Sequence, residues 1–209
     1  MILRQATSTR PLIRVEEEDG GPAIVKDFSA NGFLFRNIVG RFLIWREVKA
    51  YRKLEGVRGV PRLLRIDAGP SLVVEAITGM DLKQAIRQRK VGSAFFDALK
   101  ALVDRIHERG MAHCDLKASG NILVGQDGNP YIIDWGASIS AGEFRWPVLN
   151  RIYGRFLVDD CRAITKHKLR CCPDAVGPEE KEQYDYRSRA EKSIRAIRDR
   201  LRSFIQAIF

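Results

Sequence analysis

Residues 11 to 28 carry short apolar runs on either side of the turn signal Asp19-Gly20-Gly21-Pro22 and read as two short strands joined as a hairpin, the second running from Ala23 to Phe28. From Phe33 to Leu54 the pattern changes. Leu34, Ile38, Phe42, Trp45 and Val48 recur every three or four positions, the spacing of one helical face, and Gly40 is a point at which this segment would divide into two helices. After Gly59 and Pro61, the segments Leu63 to Ile66 and Ser71 to Ile77 flank an Ala68-Gly69-Pro70 turn and predict a second hairpin.

Beyond Gly79 the pattern becomes helical. Asp81 is placed to cap a helix reaching Arg89, and a longer helix is predicted from Ser93 to Arg109, closed by Gly110. A third hairpin, Asn121 to Val124 and Tyr131 to Ile133 around Gln126-Asp127-Gly128-Asn129-Pro130, interrupts the helices. The tail from Pro178 is helical again, with Ile194, Ile197, Leu201, Phe204, Ile205 and Ile208 spaced to pack on the helical part. With no repeat and no flexible linker, an α+β chain is expected whose two parts, residues 1–76 and 77–209, pack as lobes.

Composition narrows the class. Of 209 residues, 45% are apolar and 30% charged, which fits a soluble globular chain and excludes disordered or collagenous ones. The net charge of +10 suggests a polyanionic partner. Much of it lies between Arg36 and Arg65, where nine basic residues meet two acidic ones, alongside Phe33, Leu34, Phe35, Phe42, Leu43, Ile44 and Trp45. That stretch reads either as a core helix with a solvated basic face or as a peripheral surface for an anionic membrane. No groove-reading motif accompanies the charge, so a specific nucleic-acid partner is not expected. Cys114, Cys161, Cys171 and Cys172 have neither metal-site nor disulfide-framework spacing, and the first ten residues lack a signal-peptide core. A reduced, cytoplasmic setting is the expectation.

The chemistry concentrates in two places. His113-Cys114-Asp115-Leu116-Lys117-Ala118-Ser119-Gly120-Asn121 forms a loop between a helix and a strand, and Asp134-Trp135-Gly136 ends the hairpin that follows, Asp115 and Asp134 being 19 positions apart. Phosphoryl transfer needs a carboxylate at the nucleophile and oxygen ligands for magnesium, and two Asp with one Asn supply both. Upstream, strand-borne Lys26 offers a cation for phosphates and helix-borne Glu47 a partner to hold it. Glu47 is preferred to Glu55 because Ile44, Glu47, Tyr51 and Leu54 share one stripe.

In this order of motifs the chain resembles the protein kinase superfamily, whose fingerprint is a strand Lys, a helix Glu, an H-R-D-L-K-x-x-N loop and D-F-G. The resemblance covers roughly residues 8–165. More narrowly the chain is similar to compact bacterial proteins near the lipopolysaccharide core kinases and, more distantly, to Rio-type atypical kinases. It implies a two-lobed fold binding ATP and magnesium, with Lys26 on the α and β phosphates and paired to Glu47. It also implies Asp115 at the acceptor hydroxyl, Lys117 at the γ-phosphate, and Asn121 and Asp134 on magnesium. The backbone from Glu75 to Ile77 would meet the adenine, and His113 would be a loop scaffold. The acceptor implied is a Ser/Thr of a protein or a sugar hydroxyl of a lipopolysaccharide-like glycolipid.

Several positions depart from that fingerprint. Asp115 and Asn121 are six apart where the usual spacing is five, which requires a bulge at Ser119-Gly120. Trp135 replaces Phe, and Cys114 replaces Arg, which removes the residue that answers an activation-segment phosphate. No glycine lies between Gln5 and Val15, so the usual Gly-rich loop is missing; Thr7, Ser8 and Thr9 either substitute for it or form a frayed terminus. Asp81 reads as a helix cap or a ribose ligand, and Asp159 and Asp160 as braces of the catalytic loop. The missing glycines also support an alternative of another class, a catalytically weak pseudokinase that binds nucleotide and partners.

Overall fold

The computed structural model describes residues 1–143 and 147–185, with side chains omitted over 147–151. Three antiparallel strands open the chain: β1 (Ile2–Arg4), β2 (Leu12–Glu18) and β3 (Gly21–Asp27). The β2–β3 hairpin lies where the Asp19-Gly20-Gly21-Pro22 turn signal places it. β1 has no sequence signal, since it is three residues long and Ile2 and Leu3 are exposed. Alternation along β3 fixes the direction of Lys26. Ala23 and Val25 are fully buried on one face against Val73, whereas Ile24 and Lys26 belong to the other, where Leu72 and Val74 join the main core.

Against that second face lies a helix made of α1 (Phe33–Phe35), a π-helical segment (Arg36–Gly40) and α2 (Arg41–Lys53). Gly40 therefore does not divide the helix, contrary to the sequence expectation. Its missing side chain serves a close approach instead: a Cβ there would lie 2.9 Å from Phe28 Cβ. β4 (Leu63–Ile66) and β5 (Ser71–Glu75) complete a five-stranded antiparallel sheet of order β1-β2-β3-β5-β4.

The chain continues through β6 (Gly79–Asp81) into α3 (Leu82–Arg87), where the Asp81 carboxylate accepts the Gln84 N–H at 2.8 Å, so Asp81 is a helix cap. α4 (Ser93–Glu108) buries Phe95, Phe96, Leu99, Leu102, Val103 and Ile106 at helical spacing and ends at Gly110, whose φ of +67° suits a residue without Cβ. β7 (Met111–Ala112) precedes the catalytic-loop segment; β8 (Ile122–Gly125) and β9 (Pro130–Ile132) form the third hairpin, which β6 joins. β10 (Ile139–Ser140) pairs with β7, and α5 (Pro147–Cys171) and α6 (Pro178–Asp185) follow. Ile194 to Ile208, expected to pack on the helices, lie outside the described residues.

One hydrophobic cluster runs through both parts, from Phe28, Val48, Tyr51 and Leu54 to Leu99, Leu102, Ile122 and Trp135. Among the described residues no helix is long and apolar enough to cross a membrane. Gly59 stitches the parts together. Its carbonyl accepts the Ile132 N–H at 2.8 Å, its φ is +99°, and a Cβ would sit 2.6 Å from Leu102 Cδ2 and 2.9 Å from Pro130 O.

Gly59→Ala combines an unfavourable φ with a clash against backbone, so we expect a loss of about 2 kcal/mol or more in urea unfolding. Gly120→Ala, where a Cβ meets nothing within 4 Å, should stay within about 0.5 kcal/mol of the parent. Equal midpoints for the two variants would contradict the packing at Gly59.

Candidate functional site

Three segments distant in sequence meet at Lys26. Its ammonium hydrogen-bonds to Glu47 on α2 and, at 2.8 Å, to Asp134 Oδ1 after β9. Glu47 is buried, while the Asp134 side chain is about half exposed (48%), so one carboxylate anchors the lysine from behind and the other reaches solvent. Burial alone would drive the ammonium towards neutrality, but the two carboxylates outweigh it and hold the Lys26 pKa up at about 12. Burial likewise opposes the charge on Asp134, yet Lys26 and a hydrogen bond from Glu47 take its pKa down to about 2. Glu47 is the member that gives way: full burial and repulsion from Asp134 push it up to about 7, against the pull of Lys26. Gly136 makes the approach possible, for a Cβ there would come within 3.1 Å of Glu47 Oε1.

The second group lies in the loop after β7. The Asn121 amide donates to both the backbone oxygen and Oδ2 of Asp115, each at 3.1 Å. The extra residue is absorbed as a 3₁₀ turn over Ser119–Asn121 that follows an extended Ala118, and Gly120 stands in open space. The six-residue spacing thus still brings Asn121 to Asp115. With its NH₂ group engaged, the Asn121 Oδ1 is left as a hard oxygen donor.

His113 joins the two groups. Buried between them, it accepts the Asp115 N–H on Nδ1 at 3.3 Å and donates from Nε2 to Ile133 O at 2.9 Å, with its ring edge-on to Trp135 at 4.7 Å. Trp135 is itself fully buried and stands edge-on to Tyr51 of α2. One imidazole therefore sets the distance between the backbones that carry Asp115 and Asp134.

Two residues of these motifs have left-handed backbones, Cys114 at φ +69° and Asp134 at φ +65°. Such conformations cost of order 1–3 kcal/mol each and persist only when the surroundings enforce them. At Cys114 the enforcing group is Asp160 on α5, whose buried carboxylate accepts the His113 N–H at 2.7 Å and the Cys114 N–H at 2.9 Å. His107 of α4 approaches the same carboxylate at 3.3 Å. The Cys114 thiol is pushed well up by burial and by Asp160, which suits a packed side chain and not a nucleophile.

The remaining sequence candidates lie apart from this cluster. Lys117 reaches Asp159 of α5 at 3.4 Å, with Arg155 beside the same carboxylate. The Glu75 carboxylate turns to Arg62, accepting its backbone N–H at 3.2 Å, and borders a groove of about 940 Å³ that none of Lys26, Asp115, Asn121 or Asp134 lines. Ile77 is half-buried in the connection between β5 and β6. Thr7, Ser8 and Thr9 are not frayed: they lie in the β1–β2 loop, where the Asn31 amide donates to the carbonyls of Thr7, Ser8 and Arg10. Sequence reasoning missed Asn31, which sits in a Ser-Ala-Asn-Gly stretch that reads as an ordinary turn; only its burial marks it.

Comparison with known proteins bears on the family and the fold. The sequence profile of the RIO domain (RIO1) matches residues 35–168, a span that begins after Lys26. The EKC/KEOPS complex subunit BUD32 of Encephalitozoon cuniculi is 38% identical over 94 residues, which cover 44% of this chain and 46% of that protein. Serine/threonine-protein kinase PknD of Chlamydia trachomatis serovar D is 52% identical over 44 residues, 21% of this chain and 5% of that protein. The matched stretches therefore span less than half the length of either relative. Among solved structures, the Rio2 kinase from Chaetomium thermophilum has a TM-score of 0.60 at 17% identity, covering 93% of this chain and 67% of that one. At that identity the likeness is one of fold, and the α+β, kinase-like architecture is established by it.

His107 gives the brace a pH signature. Burial lowers its pKa, but the hydrogen bond to Asp160 and the neighbouring Cys161 more than reverse this and raise it from 6.5 to about 9. A raised folded-state pKa stabilises fully below about 6.5, and that stabilisation disappears as pH climbs through about 9. Urea unfolding of the parent and of His107→Gln should differ by about 1–3 kcal/mol at pH 6 and converge above pH 9. A gap that is constant with pH would remove the ion pair from the account.

Proposed function

The chain belongs to the RIO domain family, and from that premise we propose that it is an ATP- and magnesium-dependent phosphotransferase that moves the γ-phosphoryl group to a hydroxyl acceptor. The observation that carries this reading is the convergence of Lys26, Glu47 and Asp134 beside a loop in which Asn121 is bonded to Asp115. Residues 1–76 and 77–209 form the two lobes in this reading, and nucleotide lies between them. A serine or threonine of a protein is the acceptor we favour, because a relative is named a serine/threonine-protein kinase.

Each side chain then has a distinct task. Lys26, fixed from behind by Glu47, presents its ammonium to the α and β phosphates, and the backbone from Glu75 to Ile77 receives the adenine. Asp134 and Asn121 would hold magnesium: Asp134 is kept ionised by Lys26, and Asn121 has an uncommitted amide oxygen. The donor set fits that ion, which is bound by one or two carboxylates together with substrate phosphates. When bound, magnesium neutralises phosphate oxygens as charge moves onto the leaving group. Asp115, held by Asn121 and the His113 Nδ1 contact, orients the acceptor hydroxyl and takes its proton. Lys117 belongs to the same loop, where it meets Asp159 at 3.4 Å, and is assigned the γ-phosphate.

Labelled ATP with a panel of protein and glycolipid acceptors tests the proposal. Asp115→Asn should lower transfer by roughly 10²–10⁴-fold with nucleotide affinity nearly unchanged, because the carboxylate acts on the acceptor proton. Asp134→Asn should lower transfer and also weaken magnesium-dependent nucleotide binding by about tenfold or more. Equal loss of binding in both variants would contradict these roles, and full transfer in either would end the kinase reading. Label entering only the glycolipid would move the acceptor from protein to sugar.

The catalytic-loop register has its own test. Asn121→Ala should raise the magnesium concentration for half-maximal activity by about tenfold, whereas Ser119→Ala should shift it by less than about twofold. The opposite pattern in a magnesium titration would make Ser119 the ligand.

A further inference from the structure

The helix that carries Glu47 inward carries a different set of residues outward. Phe33, Leu34, Ile38, Phe42 and Trp45 are between 50% and 75% exposed, and from Leu34 they follow one another at intervals of four, four and three residues along a single helical face. A contiguous stripe of this kind is uncommon on an unpartnered surface and marks a site of contact.

Its surroundings are cationic. The segment from Phe33 to Lys53 has six basic residues and one acidic residue, and the acidic one, Glu47, is buried against Lys26. Arg36 lies over the Phe33 ring at 5.7 Å, Arg46 over Phe42 at 5.5 Å and Lys49 over Trp45 at 5.4 Å. Arg46 and Lys49 also meet Glu143, Arg46 bonds to Ser138 O, and Lys53 bonds to Gly110 O. Arg41 and Arg52 are exposed on the same side and, among the described residues, no hydrogen bond or ion pair engages either.

We propose that this face is a docking surface for an anionic lipid bilayer, on which the helix lies flat with its aromatic stripe at the headgroup boundary. The choice of occupant follows from complementarity. An apolar protein groove would accept the stripe and strand the cations without counter-charge. An acidic protein surface would satisfy the cations and leave the rings in water. A bilayer with anionic headgroups offers acyl surface and negative charge in one plane, which is what a helix with an apolar stripe bordered by Arg and Lys requires. The proposal is independent of phosphotransfer, since none of these outward residues belongs to the Lys26 cluster.

Co-sedimentation of the full chain with vesicles decides it. Phosphatidylcholine vesicles containing phosphatidylglycerol should bind the protein, and phosphatidylcholine alone should not. Attachment should weaken with salt as the Debye length falls from ~10 Å at 0.1 M to ~3 Å at 1 M. Phe42→Ser with Trp45→Ser, and separately Arg41→Glu with Arg52→Glu, should each lower vesicle partition by about tenfold or more, because one removes the stripe and the other reverses two unengaged charges. All four positions are exposed, so unchanged thermal midpoints should accompany both variants. No binding to anionic vesicles at low salt, equal binding to neutral ones, or full retention by either folded variant overturns the proposal. So does a concentration-dependent dimer abolished by Phe42→Ser with Trp45→Ser, which would assign the face to a second copy of the chain.

Discussion

A single ammonium group holds the candidate site together. Lys26 comes from the sheet, Glu47 from the helix beside it and Asp134 from the far side of the third hairpin, and the two carboxylates share one cation. Two negative charges in a poorly solvated place cannot coexist without it, so the position of Lys26 determines whether the sheet, α2 and the β9 end remain in register. The inequality between the carboxylates matters for chemistry. Glu47 is buried and is pushed towards protonation, whereas Asp134 is half exposed and firmly ionised. The charge available to a ligand is therefore on the residue that reaches solvent.

A second constraint is backbone strain, and here the restraint comes from elsewhere in the chain. Cys114 and Asp134 both have positive φ, one residue before Asp115 and one before Trp135. Asp160 receives the two amides that a left-handed Cys114 presents, and His113 spans from Asp115 N–H to Ile133 O. Helix α5 thus acts on the loop through a buried carboxylate without supplying a reacting group. That is a positioning role, and it explains how a Cys is accommodated where the kinase fingerprint has an Arg: the loop is held through its backbone, and the side chain at 114 packs.

What was legible in the sequence follows from where the determining forces act. Helical and strand periods, the Asp81 cap and the Gly110 stop are local, and they read correctly. The pairing of Lys26 with Glu47 was legible from the register of Lys26 with the later motifs and from the stripe of Ile44, Glu47, Tyr51 and Leu54, which turns Glu47 towards the protein. Gly40 misled, since a glycine that admits Phe28 looks the same in sequence as one that ends a helix. β1 and Asn31 were invisible for a related reason: a three-residue strand depends on its partner, and an amide that collects three carbonyls is identified only by the loop it closes.

That loop bears on the missing glycines. A Gly-rich loop lets backbone amides approach phosphates at little steric cost, and its flexibility must be restrained each time a ligand binds. Residues 5–11 solve the geometry differently. The Asn31 amide fixes the carbonyls of Thr7, Ser8 and Arg10 on one side of the loop, before any ligand is present. The three carbonyls are thereby satisfied within the loop itself. A preformed loop of this kind loses adaptability and has a lower ordering cost than a glycine-rich one.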